Sequence, residues 1–416
     1  MNPFSNITTA ISLALDSIRA HKLRSFLTLL GVIIGVASVV MVGAAISGLG
    51  VYAEQSTAKA FGSESFLVAQ IAATGNMSRR QYFDKIKRNK PIRRDDYRFL
   101  EAFNGNTVMY SPYRRNVADV KRDNVTCEDT TILGVSADMA SIRDIGVVEG
   151  RFFTQQEDRS RAFVGVIGDT VKETLFPGGA SPLDKTVRIQ GIEFTVIGVQ
   201  EKLGSAFGRD QDKSAYIPIT AFERLYGPGT SLSVFARPRP GSGLSLQDAL
   251  DQTRVGLRDR FHNRPGQDDS FDTLTPDAIR GFIDQLLSMV AAVVVPVTCI
   301  SLVVGGIVIM NIMLVSVTER TREIGIRKSL GARHGDVMLQ ILIEAVVLAV
   351  MGGATGVALG AMVTLLLGKL FDLSLHITLG YVVLALGVST IVGVASGWYP
   401  ASRAAKLDPV VALRAE

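Results

Sequence analysis

The stretch LLSMVAAVVVPVTCISLVVGGIVIMNIMLVSVT, residues 286–318, decides the fold class because it contains no charged side chain. An α-helix needs about 20 predominantly apolar residues to cross the roughly 30 Å hydrocarbon core of a bilayer. Three further blocks meet that length, at residues 26–52, 337–368 and 377–399, and Glu344 is the single charged residue among them. The sequence therefore predicts an α-helical membrane protein with four transmembrane helices.

Composition excludes several other protein classes. The 416 residues are 47% hydrophobic and 20% charged, with a mean hydropathy of +0.27. This apolar content excludes intrinsic disorder, and two cysteines cannot form a disulfide scaffold. A cleaved signal peptide is the alternative interpretation of residues 26–52, but that block is much longer than the usual apolar region of about 7–15 residues. We therefore interpret it as a membrane helix.

The apolar blocks divide the chain into nine segments. The predicted segments are an amphipathic N-terminal helix (1–25), TM1 (26–52), an outer domain with stalk helices at both ends (53–283), TM2 (284–317), a cytoplasmic coupling segment (318–336), TM3 (337–368), a short outer loop (369–376), TM4 (377–399) and a cytoplasmic tail (400–416). The N-terminal segment places Ile11, Leu15 and Ile18 on one helical face, which is typical of a helix in the membrane interface. The alternative is a plain extension of TM1.

The distribution of charge predicts the orientation of the chain. Residues 1–25, 318–336 and 400–416 together contain 11 Lys and Arg against 6 Asp and Glu, whereas residues 53–284 contain 32 against 31. Cytoplasmic loops carry the excess of Lys and Arg. Both termini are therefore expected in the cytoplasm of a multi-pass inner-membrane protein, with the large domain in the periplasm. The net charge of +5 then reflects topology and requires no nucleic-acid partner.

The region between the first two blocks is expected to be a folded α+β domain. Thr275, Pro276 and Asp277 form a helix start, with an N-cap hydroxyl, a proline at the first position and an acid in the first turn. A helix from Pro276 to the end of TM2 exceeds the bilayer thickness, so we predict a stalk outside the membrane. Residues 186–190 and 193–199 alternate apolar and polar side chains around Gly191, which indicates a β-hairpin.

Glycines four residues apart recur in the membrane blocks. They are Gly31 and Gly35, then Gly352, Gly356 and Gly360, and finally Gly393 and Gly397. Small residues at this spacing allow helix backbones to approach closely in lipid. We therefore predict close packing within a bundle or a dimer, although glycine is also generally frequent in membrane helices. Glu344 is interpreted as a structural ion-pair or hydrogen-bond partner rather than a transport residue.

Motifs for catalysis and for cofactor binding are missing from the sequence. There is no Gly-x4-Gly-Lys-[Ser/Thr] loop for ATP phosphates, no His-Glu-x-x-His and no Cys-x-x-Cys. The four histidines are widely separated and show no metal-ligand spacing. We therefore expect no catalytic, cofactor-binding or metal site in this chain. A basic run at residues 79–98 could bind an anionic group, but Asp84, Asp95 and Asp96 favour a solvated helix face.

The most informative cytoplasmic stretch is SVTERTREIGIRKSLGAR, residues 316–333. It is short, highly charged and joins two membrane helices. Glu319 and Glu323 are spaced one helical turn apart, Ile324, Ile326 and Leu330 are expected to form an apolar side, and Gly331 is expected to cap the helix. The pattern predicts docking to a cytoplasmic protein. The alternative is a charged linker. The residues predicted to couple are Glu319, Arg320, Arg322, Glu323, Ile324, Gly325, Arg327, Lys328 and Gly331.

This stretch resembles the signature of the MacB/FtsX-type ABC transporter permeases, and the resemblance covers nearly the whole chain. It includes SIRAHKLRSFLTLLGVIIG (17–35), GRFF (150–153), FTVIGV (194–199) and YPASRAAKLDPV (399–410). The stretches TILGVS (131–136) and AYIPI (215–219) are similar to MacB rather than to the lipoprotein-release or cell-division branches.

The resemblance implies a permease homodimer that binds an ABC ATPase dimer through the coupling segment, with ATP and Mg bound by that ATPase. It also implies a periplasmic porter subdomain of βαβ units with an inserted second subdomain. ATP-driven closure would move the outer domain and export drugs, peptides or other amphiphiles. A periplasmic adaptor and an outer-membrane channel would complete the path. Because few residues precede TM1, the ATPase is expected to be a separate chain.

Two other functions are consistent with the same resemblance. A lipoprotein-release permease would extract lipoproteins from the inner membrane, often as a pair of different permeases. A signal relay would instead activate a cell-wall enzyme, although the large outer domain argues against the smaller division-type relay.

Overall fold

The computed structural model describes residues 22–62, 64–72, 77–206, 208–371, 375, 377–409 and 412. The expected interfacial helix lies outside these residues except for its last few positions, as do residues 372–374 and 376 of the expected outer loop and most of the tail after residue 409. The described residues form two compact units. The outer unit comprises residues 53–284, and the membrane unit comprises the described residues before and after it.

Helices and strands alternate in the outer unit, whereas the membrane unit is helical. The helices are α1 (Lys22–Phe61), α2 (Arg79–Arg88), α3 (Arg94–Asn104), α4 (Met139–Ile142), α5 (Gln155–Arg159), α6 (Asp169–Leu175), α7 (Ile219–Tyr226), α8 (Leu246–Arg260), α9 (Pro276–Glu319), α10 (Thr321–Ser329), α11 (His334–Phe371) and α12 (Leu379–Ala405). The strands are β1 (Phe66–Ala69), β2 (Val108–Arg122), β3 (Val125–Val135), β4 (Val147–Gly150), β5 (Val164–Ile167), β6 (Thr186–Ile189), β7 (Ile192–Gln200), β8 (Ser205–Ala206), β9 (Arg209–Asp210), β10 (Ser214–Pro218), β11 (Ser233–Pro238) and β12 (Asp272–Leu274).

The predicted fold class is confirmed, because α1, α9, α11 and α12 are each long and apolar enough to cross a membrane. Their most apolar windows have mean hydropathies between 2.0 and 2.6. Helix α9 begins at Pro276 as predicted, and the Thr275 hydroxyl accepts a hydrogen bond from the Ala278 amide. At 44 residues it is about 66 Å long, twice the hydrocarbon thickness.

Helix α12 differs from the predicted fourth helix. It begins at Leu379 and continues through Pro400 to Ala405, rather than spanning residues 377–399. The helix continues past residue 399 because Ala401, Ala404 and Ala405 pack in the interior of the membrane unit, where each is fully buried. A drop in hydropathy therefore marks the end of the apolar span but not the end of the helix.

The core of the membrane unit is built from small and β-branched side chains of all four long helices. It includes Val32, Val36 and Val40 of α1, Leu302, Ile309 and Met313 of α9, Ile341, Ala345 and Ala349 of α11, and Ala385 and Ala401 of α12. Outside this core, α9 exposes many apolar side chains, among them Val293, Ile300 and Val303. Such exposure is expected where the solvent is lipid.

One ten-stranded sheet organises the outer unit. The strand order is β12-β1-β11-β2-β3-β10-β5-β7-β4, and β6 pairs with both β2 and β7. The pairs β3–β10 and β5–β7 are parallel, whereas the other pairs are antiparallel. The connection from β5 to β7 contains α6, as a parallel crossover requires. The predicted hairpin is β6–β7, and its two turn residues, Gln190 and Gly191, both have positive φ angles.

A charge-assisted network fixes the first turn of α5 in the outer unit. Arg151 donates two hydrogen bonds to Glu157, at 2.8 and 2.7 Å, and the Thr154 amide donates a third to the same carboxylate at 2.8 Å. The Arg151 guanidinium, followed by the Thr154 groups, lowers the pKa of Glu157 to about 2. The folded chain therefore stabilises the charged form of the Glu157 carboxylate more than an unfolded chain does.

We expect Glu157→Gln to lower the free energy of unfolding of the outer unit by about 1 kcal/mol at pH 7, because Arg151 is largely exposed and exposed pairs contribute little. A depressed carboxylate pKa stabilises above its unfolded value near 4.3 and loses that contribution as the pH falls toward 2. The difference between the variant and the wild type should therefore shrink between pH 5 and pH 3 in unfolding titrations. Glu193→Gln, which removes the exposed pair with Arg188, is the matched control and should leave the free energy of unfolding at pH 7 nearly unchanged.

Candidate functional site

The predicted coupling segment forms helix α10, which is separated from α9 by a single residue. Arg320, with φ −101° and ψ 14°, interrupts the helix between Glu319 and Thr321. Its amide still donates to the Ser316 carbonyl at 3.1 Å, so the chain turns without losing backbone hydrogen bonding. Glu319 and Glu323 therefore belong to different helices and do not form the continuous turn predicted from their spacing.

The inward face of α10 packs on the end of α12 and on Leu407 and Ala412, which follow α12. Ile324 and Gly325 are buried, and a Cβ atom at Gly325 would lie 2.7 Å from the Cβ of Ala412. Lys328 donates from Nζ to the carbonyl oxygens of Ala405 and Leu407, at 2.8 and 2.7 Å. Cations stabilise the carbonyl end of a helix, so these bonds attach α10 to α12.

The apolar side predicted for α10 is wrong. Ile326 and Leu330 lie on the solvent face, with Leu330 84% exposed, whereas Ile324 points into the protein. At 100° per residue, positions 324 and 326 lie on opposite faces of a helix, and positions 326 and 330 share one. The exposed face, here called the α10 outer face, consists of Arg322, Ile326 and Leu330.

Gly331 terminates the segment in the position expected for a helix-ending glycine. It follows the C-cap residue Leu330 and has a φ of +98°. This left-handed conformation favours glycine because it carries no Cβ atom. The Ala332 amide then donates to the Arg327 carbonyl at 3.1 Å, and α11 begins two residues after Ala332, at His334.

A cleft of about 190 Å³ lies between α9, α10 and α11, and we call it the kink cleft. Its polar lining includes Arg320, Glu323, Arg327, Gln340 and Glu344. Arg320 Nη1 lies 3.4 Å from Glu344 Oε1, and Arg327 Nη1 donates to Gln340 Oε1 at 2.9 Å. The Glu344 side chain is only 10% exposed. The one acid of the third apolar block is thus buried and is paired with Arg320, the residue that interrupts the helix.

Glycines bring α1 and α9 into backbone contact. A Cβ atom at Gly31 would lie 2.8 Å from the Cα of Gly305, and one at Gly305 would lie 2.8 Å from the Val32 amide nitrogen. Gly35 accommodates the side chain of Leu302, which would be 2.9 Å from an added Cβ.

The glycine series of α11 also faces α1. A Cβ at Gly356 would lie 2.8 Å from the Ile33 carbonyl oxygen, and one at Gly360 would lie 3.0 Å from that of Ala37. Gly352 lies against the same helix, where an added Cβ would meet Leu29 and Val32 at 3.1 and 3.3 Å.

The glycines of α12 pack against α11. Cβ atoms at Gly393 and Gly397 would lie 2.7 and 2.5 Å from the Cβ atoms of Ala349 and Ala345. The spacing rule did not identify Gly305, and it also omitted Gly306 and Gly353, which face the hydroxyls of Ser396 and Ser389. The consecutive pairs at 305–306 and 352–353 are the sequence signal that could have indicated them.

The basic run at residues 79–98 pairs with distant acids at three of its cations, Lys85, Arg88 and Arg94. Lys85 pairs with Asp272 at 2.5 Å, and Arg94 pairs with Glu223 at 2.5 Å. Its charges therefore hold α2 and α3 to neighbouring elements of the outer unit.

No group of three or more His, Cys, Asp or Glu residues is placed to hold a metal ion within the part of the chain that the structure describes. Cys127 is buried and Cys299 is exposed, and both are free thiols.

Comparison with known proteins places this architecture in a family. Residues 25–254 match the model of the MacB-like periplasmic core domain, and residues 295–409 match the FtsX-like permease C-terminal model. The macrolide export ATP-binding/permease protein MacB of Bdellovibrio bacteriovorus is 36% identical over 405 residues, which cover 96% of this chain and 61% of the relative. The protein of the same name from Neisseria meningitidis is 32% identical, covering 99% of this chain and 61% of its own length.

The chain thus spans about three-fifths of the length of these relatives. Among solved structures, the periplasmic region of MacB from Actinobacillus actinomycetemcomitans covers 55% of this chain and 95% of its own, with 16% identity and a TM-score of 0.43. On the two family models, which together account for both units, the chain belongs to the MacB/FtsX-type family of ABC transporter permeases.

Proposed function

We propose that this permease couples ATP hydrolysis by an ABC ATPase dimer to a conformational change of its outer domain. The coupled movement drives export of drugs, peptides or other amphiphiles from the periplasm. The names of the two relatives, both macrolide export ATP-binding/permease proteins, support this substrate class. ATP and Mg are bound by the ATPase, and the permease contributes the mechanical path.

The observation that carries this proposal is the two-sided construction of α10. Its inner face is fixed by Lys328 to the end of α12, while the α10 outer face presents Leu330 and Ile326 to solvent beside Arg322. Single exposed apolar side chains are common, but Ile326 of α10 and the C-cap residue Leu330 lie at i and i+4 and form a docking ridge. A force applied to this face would reach α12 through Lys328 and α11 through Arg320 and Glu344.

The assembly is proposed as a homodimer of permeases in the inner membrane. The charge distribution favours cytoplasmic termini and a periplasmic outer unit. In this arrangement α10 faces the ATPase, and the outer unit faces a periplasmic adaptor that connects it to an outer-membrane channel.

Charge reversal at Arg322 combined with Leu330→Ser should weaken association with the cognate ATPase about tenfold, because interface centres are built from apolar and arginine side chains. The measurement is a quantitative pull-down from lipid nanodiscs. Arg403→Glu is the control, since Arg403 is exposed on α12 and lies outside the α10 outer face. Equal binding of the double variant and the wild type would remove the docking role of α10.

The exporter proposal is tested by ATP turnover of the permease–ATPase complex with and without a candidate adaptor. Adaptor-dependent stimulation with one kind of permease is the expected result. Normal ATPase binding with a requirement for a second, different permease would favour lipoprotein release instead. Stimulation only by a cell-wall hydrolase would favour a signal relay.

A further inference from the structure

The kink cleft combines separated charges with an apolar wall at one end of the membrane helices. We propose that it binds the headgroup of a zwitterionic glycerophospholipid, with the phosphodiester at Arg320 and Arg327 and the ammonium group at Glu323.

Toward the described residues, each of the two arginines uses only one of its N–H-bearing nitrogens. A guanidinium has five N–H donors and matches phosphate oxygens in a planar, bidentate geometry. Arg320 uses Nη1 toward Glu344, and Arg327 uses Nη1 toward the neutral amide of Gln340. Since Gln340 carries no charge, the positive charge of Arg327 is available to an anion that enters the cleft.

The charge balance of the cleft favours a zwitterion over a purely anionic ligand. Its lining contains two cations, Arg320 and Arg327, and two carboxylates, Glu323 and Glu344. Glu344 is almost buried and is paired with Arg320, whereas Glu323 is solvent-exposed and lines the same cleft. A headgroup with one phosphate and one ammonium matches this arrangement, because it places an opposite charge beside each exposed group.

The other wall of the cleft is apolar, which a lipid requires and a free phosphate does not. This wall is formed by Met313, Val317, Ile324, Val337 and Ile341. Val317 lies beside the end of the apolar block 286–318, and Val337 begins the apolar block 337–368, which places the cleft at the level of lipid headgroups. Drug-sized ligands occupy pockets of about 300–1,000 Å³. A cleft of about 190 Å³ suits a headgroup whose acyl chains lie outside it.

A lipid in this cleft would join α9, α10 and α11 at the residue where the helix is interrupted. It would therefore hold the orientation of α10 that Arg320 and Glu344 define in the protein alone.

The test is a lipid titration of the full chain in detergent micelles, with bound lipid counted by native mass spectrometry. Phosphatidylethanolamine is the main probe, and phosphatidylglycerol, glycerophosphoethanolamine and inorganic phosphate are the comparisons. We expect Arg327→Gln to weaken phosphatidylethanolamine binding about tenfold, the effect of losing one charge-assisted contact. Arg333→Gln, an exposed charge outside the cleft, should bind as the wild type does.

A second variant distinguishes the headgroup contacts and guards against a folding defect in the first. Glu323→Gln should remove the preference for phosphatidylethanolamine over phosphatidylglycerol while leaving the helical circular dichroism unchanged. Equal lipid binding by Arg327→Gln and the wild type would overturn the proposal. So would a wild-type preference for phosphatidylglycerol, or saturation of the cleft by inorganic phosphate as readily as by the lipid.

Discussion

Gly305→Leu should lower the stability of the membrane unit by about 3 kcal/mol or more. An added Cβ at this position would lie 2.8 Å from the Val32 nitrogen and 2.9 Å from the Gly31 carbonyl carbon. Both are backbone atoms, which cannot rotate out of the way as a side chain can. Overpacking of a well-packed interior typically costs about 1–3 kcal/mol. Here the steric overlap can be relieved only if α1 and α9 separate. The loss of stability should therefore lie at the upper end of that range or above it.

The measurement is the midpoint of heat-induced loss of helical circular dichroism in lipid nanodiscs. Gly387→Leu on α12 is the matched control, because nothing lies within 4 Å of a Cβ added at Gly387. Alanine gives a sharper comparison, since it improves helix propensity over glycine by about 1 kcal/mol. Gly387→Ala should therefore be neutral or stabilising, whereas Gly305→Ala should destabilise. If both alanine variants behave alike, the backbone contact between α1 and α9 does not exist.

The sequence predicts that a helix face can be approached closely, but it does not reveal which helix approaches. The series Gly352, Gly356 and Gly360 of α11 was identified by its spacing, and it packs against α1. Gly305 has Ser301 and Ile309, rather than glycine, at four residues on either side, so a search for glycine pairs alone missed it, yet it meets Gly31. Partner choice depends on the arrangement of the whole bundle, which local spacing does not encode.

The same limit applies to the sheet and to the coupling segment. The hairpin β6–β7 was predicted because its pairing is local and its turn residues are adjacent. The placement of β1 between β11 and β12 was not, because it joins residues about 170 to 210 positions apart. In the coupling segment, Ile324 and Ile326 were assigned to one apolar side although they are two residues apart and face opposite ways, and the non-helical residue Arg320 was not predicted. A stretch of charged residues gives no local signal for one non-helical residue.

Glu344→Ala should reduce the coupling of ATP hydrolysis to movement of the permease about tenfold, while ATPase binding changes less than twofold. Coupling free energies of about 1–3 kcal/mol correspond to factors of roughly 5 to 150. Glu344 is 24 residues from Arg320 in sequence and pairs with it at 3.4 Å, so this ion pair ties the start of α10 to α11, beside the Arg327–Gln340 hydrogen bond. The α10 outer face does not include Glu344, which is why docking should survive the substitution.

The measurement is permease-stimulated ATP turnover of the cognate ATPase in nanodiscs, made alongside the pull-down. Thr355→Ala is the control on α11, because among the described residues the Thr355 hydroxyl bonds to carbonyls of its own helix alone. Glu344→Gln should be intermediate, since its amide oxygen can still accept a hydrogen bond from Arg320. The double variant Arg320→Gln with Glu344→Gln leaves no uncompensated charge. It should therefore recover thermal stability but not coupling. Recovery of both would mean that the ion pair stabilises the fold without transmitting force, whereas loss of ATPase binding in Glu344→Ala would place this residue in docking instead.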